Sequence, residues 1–218
     1  MGATTFVFAA YFTKNVAADE VSGTSQWGVA MTLSALAVAV MGPILGAVAD
    51  NTGRRKPWLA LFTLIAALSA IMLWTVKPDP AFIFLALFWI ALANFAFEMG
   101  MVFYNAMLPD LAPPEKLGRW SGWGWGLGYI GGLVCLGITL VAFVQADVPL
   151  FGLDRSAAEE LRITGPFVAV WMVAFALPLF LLTPDKTATG KTIGTAIYDG
   201  LGALWRTFSQ LHNYKDTG

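Results

Sequence analysis

The stretch Gly46-Ala-Val-Ala-Asp50-Asn-Thr-Gly53-Arg54-Arg55-Lys56-Pro57 decides the fold class, because it is a short basic turn between two long apolar segments. One carboxylate and three basic side chains crowd into residues 50–56, while Leu, Ala, Val and Ile dominate the chain on either side. A turn of this kind is typical of the connection between two transmembrane helices. We therefore asked whether the rest of the chain has the composition of a membrane protein.

The composition is that of a protein built for a bilayer. Of the 218 residues, 57% are hydrophobic and 12% are charged, and the mean hydropathy is +0.67. A soluble domain carries about 25% charged residues, roughly twice this fraction. The net charge of -1 and the lack of a basic arm argue against a nucleic-acid partner.

The sequence predicts neither an enzyme nor a cofactor or metal site. Cys135 is the single cysteine, which excludes an intrachain disulfide, and His212 is the single histidine. The pattern Gly126-x-Gly128-x-x-Gly131 fits a dinucleotide-binding fingerprint, but no strand precedes it and it lies in an apolar segment. We found no Ser-His-Asp, Cys-His or paired-carboxylate arrangement.

Six apolar segments predict an all-α integral membrane fold, a six-transmembrane-helix bundle over residues 1–184. A helix needs about 20 mostly apolar residues to cross a bilayer. The predicted spans are residues 2–16, 27–49, 58–76, 81–108, 120–144 and 164–183. The first is too short, and we interpret it as the second half of a span, so the first helix is incomplete.

The distribution of basic residues predicts the orientation. Alternating connections place nine Lys and Arg residues on one side and four on the other: Arg54, Arg55, Lys56, Lys116, Arg119, Lys186, Lys191, Arg206 and Lys215 against Lys14, Lys77, Arg155 and Arg162. Cytoplasmic loops carry the excess of positive charge. Loops 50–57 and 109–119 and the C-terminus are therefore predicted to be cytoplasmic.

Residues 185–218 are predicted to form a cytoplasmic linker with an amphipathic helix. Apolar residues recur there at steps of three and four: Ile193, Ile197, Leu201, Leu204, Trp205, Phe208 and Leu211. This spacing is typical of a helix with one apolar face. Such a helix either tethers the tail to the bilayer surface or joins two halves of a larger protein.

Two motifs resemble a known transporter family. Gly46, Asp50, Gly53, Arg54 and Arg55 have the spacing of the loop motif of the major facilitator superfamily. Residues 102–115, with 118–122 and 126–132, resemble the autophagy-linked vacuolar effluxer family and its bacterial relatives. The resemblance covers essentially the whole chain and identifies it as the N-terminal half of such a transporter.

The resemblance implies a secondary transporter of a bacterial inner membrane. Such proteins have about twelve spans in two bundles, which rock around a site near the midplane of the membrane. The substrate would be a small solute, with amino-acid efflux the first expectation. The partner would be a C-terminal six-helix half or, in a half-transporter, a second copy; the other alternative is a non-transporting scaffold or receptor.

Around the basic turn, the resemblance implies a gate. Asp50 and Arg54 would hold the cytoplasmic side closed, in part by contacting the other half. The alternative is a topology anchor, in which the basic residues face lipid phosphates. We expect the gate for Asp50 and Arg54, and the anchor for Arg55 and Lys56.

Glu98 is the strongest candidate for transport chemistry. It lies inside the fourth apolar segment, where a charge costs roughly 2.5–3.5 kcal/mol on insertion scales. Asn94 and Asn105 share its helical face. This polar stripe should point into the bundle or into a water-filled cavity. Glu98 would bind a proton or cation and the two Asn residues would contact substrate, unless all three serve interhelical hydrogen bonding.

Two further groups carry the family resemblance. Tyr104, Pro109, Asp110 and Arg119 lie around the second predicted cytoplasmic loop, where we expect a structural or gating role and where Asp110 could pair with Arg119. A glycine-rich stretch begins the fifth span, and close helix packing is its expected role: Gly122, Gly124, Gly126, Gly128, Gly131 and Gly132. Small residues of this kind let neighbouring helices approach closely.

Overall fold

The computed structural model describes residues 2–146, 150–185, 187 and 195, and in this part every regular element is helical. The α-helices are α1 (Gly2–Tyr11), α2 (Glu20–Thr52), α3 (Lys56–Met72), α4 (Ile83–Leu111), α5 (Leu117–Thr139), α6 (Glu159–Arg162) and α7 (Thr164–Leu182). A wide π-helical turn, Phe12–Val16, continues α1, and another, Leu140–Val144, continues α5. Short 3₁₀ turns precede α4 and α5 and follow α3.

Among the described residues, five helical segments are long and apolar enough to cross a membrane: Glu20–Ala49, Lys56–Thr75, Pro80–Leu111, Pro114–Val144 and Glu159–Leu182. The helical residues 2–16 span only about 22 Å at a rise of about 1.5 Å per residue. That is less than the bilayer core of about 30 Å. The predicted fold class, an all-α membrane bundle, is confirmed.

Helix α3 organises the packing, because it lies against both α4 and α7 while α2 packs on the other side of α4. Helix α1 packs against α5 and α7. Four apolar clusters fill the contacts in the described part of the chain, and two of them are large. The first joins α1 to the end of α3 and the start of α4 and includes Phe8, Tyr11, Phe12, Leu73 and Ile90. The second lies between α3 and α4 and includes Leu59, Phe62, Ala96, Met99 and Phe103.

Helix α2 begins at Glu20, well before the predicted start at residue 27. The Asp19 carboxylate accepts hydrogen bonds from the backbone N–H groups of Val21 and Ser22, at 3.0 and 2.9 Å. The Ser22 hydroxyl also donates to it, and these bonds lower the pKa of Asp19 below its usual value. The predicted span followed hydropathy alone, whereas this N-cap extends the helix through polar residues before it.

The basic turn is shorter than predicted. Helix α2 continues to Thr52, and Gly53, with φ of 80°, ends it by donating its N–H to the Ala49 carbonyl at 2.9 Å. The turn therefore comprises only residues 53–55, and a left-handed residue such as Gly53 is a common helix terminator.

The second loop is also shorter than predicted. Helix α4 passes through Pro109 and ends at Leu111, so the connection starts at Ala112 and not at residue 109. Proline near the end of a helix removes one hydrogen bond without stopping the last turn.

The connections fall into two groups at opposite ends of the bundle. Residues 53–55, 112–116 and 183–185 meet at what we call the basic end, where Arg55 reaches Asp110 and Lys56 reaches the Thr183 carbonyl. At the opposite end, the Tyr11 hydroxyl donates to the Val76 carbonyl at 2.8 Å, and Arg162 donates to the Trp74 carbonyl. This grouping agrees with the assignment of successive connections to alternate sides of the membrane, on which the predicted orientation was based.

Gly165 fixes the closest approach between α3 and α7. A Cβ atom at this position would overlap the backbone carbonyl oxygen of Ala70 and crowd Leu73. Glycine is therefore required by space alone, since its backbone conformation is helical. Small residues at such crossings let membrane helices gain van der Waals contact.

We expect Gly165→Ala to destabilise the protein by about 1–3 kcal/mol, because overpacking forces the two backbones apart. Thermal unfolding of the purified membrane protein should show the loss as a lower Tm. Gly28→Ala in α2 is the matched control, since nothing lies within 4 Å of its added Cβ. Equal Tm values for the two variants would contradict the proposed close contact.

Candidate functional site

At the basic end, Arg55 ties α3 to α4. Its guanidinium donates to the Ala106 carbonyl and forms an ion pair with Asp110. The side chains of Arg55 and Asp110 are only 13% and 29% exposed, so solvent screens this pair less than a surface pair. Arg55 thus serves the bundle itself, and its predicted role as an anchor facing lipid phosphates was wrong.

The ion pair also replaces the pairing predicted for Asp110. Because α4 continues to Leu111, Asp110 lies on the last helical turn next to the start of α3. Arg119, the predicted partner, is exposed two residues into α5. The prediction treated residues 109–119 as one loop, whereas the structure places its two ends on different helices.

Lys56, at the start of α3, caps the end of α7, and Asp185, just after α7, caps the start of α3. The Lys56 ammonium donates to the carbonyls of Phe180, at 2.9 Å, and Thr183, at the C-terminal end of α7. The Asp185 carboxylate accepts from the backbone N–H groups of Arg55, at 3.2 Å, and Lys56, at 3.3 Å, at the start of α3. Each charge faces the helix end of opposite partial charge, which is its favourable position. We call this arrangement the reciprocal cap.

Sequence reasoning missed the reciprocal cap. Lys56 was predicted to face lipid phosphates, which was wrong, and Asp185 was treated only as the start of a linker. A signal was present: Asp185 follows Pro184 directly after the last apolar segment, on the side predicted for Arg55 and Lys56. The N-terminus of α3 is capped by Asp185, which is 130 residues from Arg55 in the sequence.

The remaining residues of the basic turn are arranged differently. Asp50 lies in the last turns of α2, but its side chain is outside the described part, and Gly46 is half-buried one turn earlier. Arg54 is exposed, and within the described residues its guanidinium has no hydrogen-bond or ion-pair partner. Their gating role stays a prediction.

Asn94 connects α4 to α2. Its amide nitrogen donates to the Ser34 hydroxyl at 3.1 Å, and Ser34 donates to the Ala91 carbonyl at 3.1 Å. Ser34 is buried and Asn94 is half-buried. The geometry is that of interhelical hydrogen bonding, the alternative considered for this residue, and substrate contact stays a prediction.

Glu98 and Asn105 lie on the face of α4 that points away from α3. Gly100 faces α3, since a Cβ there would touch Leu59 and Phe62. Glu98, two helical positions away at about 100° per residue, is on nearly the opposite side. Both polar residues are exposed, and Glu98 has no hydrogen bond or ion pair among the described residues. Glu98 therefore does not point into the interior of this bundle, and its role in transport stays a prediction.

The glycine-rich face of α5 is mostly open. Only Gly124 comes close to another helix, where an added Cβ would lie 3.2 Å from the Tyr104 hydroxyl oxygen. Nothing lies within 4 Å of a Cβ built at Gly122, Gly126, Gly128, Gly131 or Gly132. Large side chains on α5 are exposed as well, with Trp123 at 62% and Tyr129 at 68%. Close packing of these five glycines stays a prediction that requires a surface from outside the described chain.

The closeness of its hydroxyl group to Gly124 places Tyr104 between α4 and α5. It is 38% exposed on α4 and lines an apolar cleft of about 170 Å³ between α3, α4 and α7. Pro109 is exposed in the last turn of α4. A structural or gating role for these residues is compatible with their positions and stays a prediction.

Comparison with known proteins identifies the family. The family described as vacuole effluxer Atg22 like matches residues 14–120 and 115–218. The chain belongs to this family. Its residues are also 31% identical over 215 positions to the protein described as uncharacterized MFS-type transporter YxiO of Bacillus subtilis (strain 168). The alignment covers 97% of this chain and 49% of that protein, and no solved structure matches.

Membership in the Atg22-like family, together with the identity to an MFS-type transporter, confirms the predicted resemblance to one half of a major facilitator transporter. The chain spans about half the length of the curated relative that it matches. The predicted amphipathic helix of residues 185–218 lies in the part matched by the family but outside the described residues, apart from 185, 187 and 195.

We expect Asp185→Ala to destabilise this Atg22-like protein by about 0.5–2 kcal/mol, the usual effect of losing an N-terminal cap. Thermal unfolding would measure the change, with Glu115→Ala as the control because Glu115 is exposed at the same end of the bundle. Lys56→Met should act in the same direction, since it removes the charge at the end of α7. A Tm unchanged in both capping variants would contradict the reciprocal cap.

A double-mutant cycle should detect coupling between Arg55 and Asp110. Because the pair is partly buried, we expect Arg55→Gln and Asp110→Asn together to cost at least about 0.5 kcal/mol less than the sum of the single changes. The matched cycle uses Arg119→Gln with Asp110→Asn, and we expect additive effects there. Coupling to Arg119 as strong as coupling to Arg55 would show that the pairing described here is wrong.

Proposed function

We propose that the protein containing this chain is a secondary transporter that moves a small solute by alternating access, and that this chain forms the first of its two bundles. The family membership and the coverage of half of a relative's length support this proposal. Two bundles around a shared cavity are the usual architecture of transporters that work by rocking.

The position of Glu98 is the observation that carries the proposal. A carboxylate on a membrane helix that faces lipid costs roughly 2.5–3.5 kcal/mol, so such residues normally face water or protein. Glu98 does not face the core of its own bundle. A second bundle that leaves a water-filled cavity next to α4 would solvate it.

The same face supplies groups suited to a small polar substrate. Asn105 lies on the Glu98 side of α4, and Asn94 lies at its edge, beside Ser34. An amide side chain both donates and accepts hydrogen bonds, so it can bind the ammonium and the carboxylate of an amino acid. We infer efflux of amino acids as the activity, with Glu98 as the site of the coupling proton or cation.

The contacts at the basic end are those expected of a bundle that moves as one rigid body during transport. Arg55 joins α3 to α4, and the reciprocal cap joins α3 to α7, so three helices are tied together at one end. We infer that this end is cytoplasmic, because cytoplasmic loops carry the excess of Lys and Arg, and that the membrane is a bacterial inner membrane. Arg54 has no partner within the described chain, and its gating role stays a prediction.

The second bundle can come from two sources. The open glycine-rich face of α5 fits either a C-terminal half or a second copy of this chain, as in a half-transporter. Both give a transporter with a cavity next to α4. A scaffold or receptor is less well supported, because it has no need for an exposed carboxylate at this depth of the membrane.

We expect Glu98→Gln to reduce gradient-driven amino-acid transport at least tenfold while leaving exchange of substrate across the membrane. The neutral side chain keeps the shape but cannot lose a proton. The full-length protein in liposomes, with an imposed pH or sodium gradient and a panel of radiolabelled amino acids, would measure both activities.

Glu115→Gln is the control for Glu98→Gln, since it removes an exposed carboxylate outside the proposed cavity. Unchanged, still gradient-dependent transport by Glu98→Gln would remove Glu98 from the mechanism. If no amino acid is transported and none raises the Tm of the purified protein, the proposed substrate class is wrong.

A further inference from the structure

An open depression of about 430 Å³ lies at the basic end, where the start of α3 meets the end of α7. Its lining residues are Arg54, Lys56, Pro57, Ala60, Phe180, Asp185 and Thr187. It lies between α3 and α7, whereas Glu98 is on the face of α4 that points away from α3. The proposed transport cavity therefore does not include it.

The charge of the depression comes mainly from Arg54. The Lys56 ammonium is directed at the carbonyls of Phe180 and Thr183, and the Asp185 carboxylate is directed at the start of α3. Those two charges offset each other within the reciprocal cap. Arg54, by contrast, is exposed and has no partner among the described residues. The depression thus presents one guanidinium to an incoming group.

The opposite wall of the depression is apolar and continues into the membrane. Pro57 and Ala60 lie one turn above Leu61 and Leu64 on α3, and both leucines are exposed, at 45% and 55%. On α7, Phe180 is followed along the same face by Leu177 and Val173, exposed at 48% and 41%. An anion bound at Arg54 would therefore have two apolar helix faces directly beneath it.

We propose that this depression is a binding site for an anionic phospholipid of the leaflet at the basic end. The Arg54 guanidinium donates two parallel hydrogen bonds to the headgroup phosphate, the geometry that makes arginine a strong phosphate ligand. One acyl chain lies along Pro57 and Ala60 toward Leu64. Basic pockets between transmembrane helices at the cytoplasmic surface commonly hold anionic headgroups.

The bound lipid stabilises the junction of α3 and α7. Its phosphate lies next to the two helix ends that the reciprocal cap joins, so separating them would also release the lipid. Any ligand that binds only the folded state raises the free energy of unfolding. Anionic lipid should therefore raise the Tm of the protein through Arg54.

Thermal unfolding and native mass spectrometry of the full-length protein in detergent test the site. Phosphatidylglycerol should raise the Tm and remain bound, whereas phosphatidylcholine with the same acyl chains should do so much less. Arg54→Gln should remove at least half of the Tm increase and reduce lipid retention at least fivefold. Arg119→Gln is the matched control, since it removes an exposed arginine at the same end of the bundle.

A second variant tests the apolar wall separately. Ala60 is exposed, so Ala60→Trp can fold while filling the path of the acyl chain, and it should weaken phosphatidylglycerol retention with Arg54 intact. Three results would overturn the proposal: an equal loss in Arg119→Gln, equal stabilisation by inorganic phosphate alone, or full retention in both Arg54→Gln and Ala60→Trp. None of these results depends on transport activity, so the proposed function is judged independently.

Discussion

The start of α3 is the point on which the arrangement of the bundle depends. Helix α3 contacts both α4 and α7, and its N-terminal residues Arg55 and Lys56 bind the ends of those two helices. Apolar helix faces in a membrane have little hydrophobic preference for each other over lipid. Directed contacts to carboxylates and free carbonyls therefore specify which helix ends meet, and Gly165 then sets how closely α3 and α7 approach.

Much of the fold was predictable, because long apolar segments separated by charged turns leave few alternatives in a bilayer. The helix ends were not, since they depend on local hydrogen bonds such as those of Asp19 and on the left-handed conformation of Gly53. The candidate site was predicted in part. Glu98 stood out by its charge within an apolar segment, but the partner of Asp110 depended on where α4 ends. The contact between Asp185 and the start of α3 joins positions 130 residues apart in the sequence, which no local pattern reveals.

The three basic residues of the loop motif show why residue type alone does not determine the role of a side chain. Arg54, Arg55 and Lys56 are adjacent basic residues, and sequence reasoning treated Arg54 as the specific one and the other two as anchors. The structure places Arg55 and Lys56 on the bundle side, where they neutralise helix ends and a carboxylate. Arg54 lies at the left-handed end of α2, before α3 begins, and faces outward. The direction of the backbone in the turn therefore gives three similar side chains two different roles: Arg55 and Lys56 contact the bundle, and Arg54 faces outward.

The exposed features of the chain indicate where additional protein is needed and where lipid suffices. Isolated apolar side chains on α3 and α7 are compatible with lipid, and the basic depression above them is suited to a headgroup. Glu98 and Asn105 on α4 are not compatible with lipid, because neither can satisfy its hydrogen bonds in hydrocarbon. The open glycines of α5 likewise lack the close neighbour that small residues normally accommodate. A second bundle that covers the faces of α4 and α5, but leaves α3 and α7 to the membrane, would satisfy all of these requirements at once.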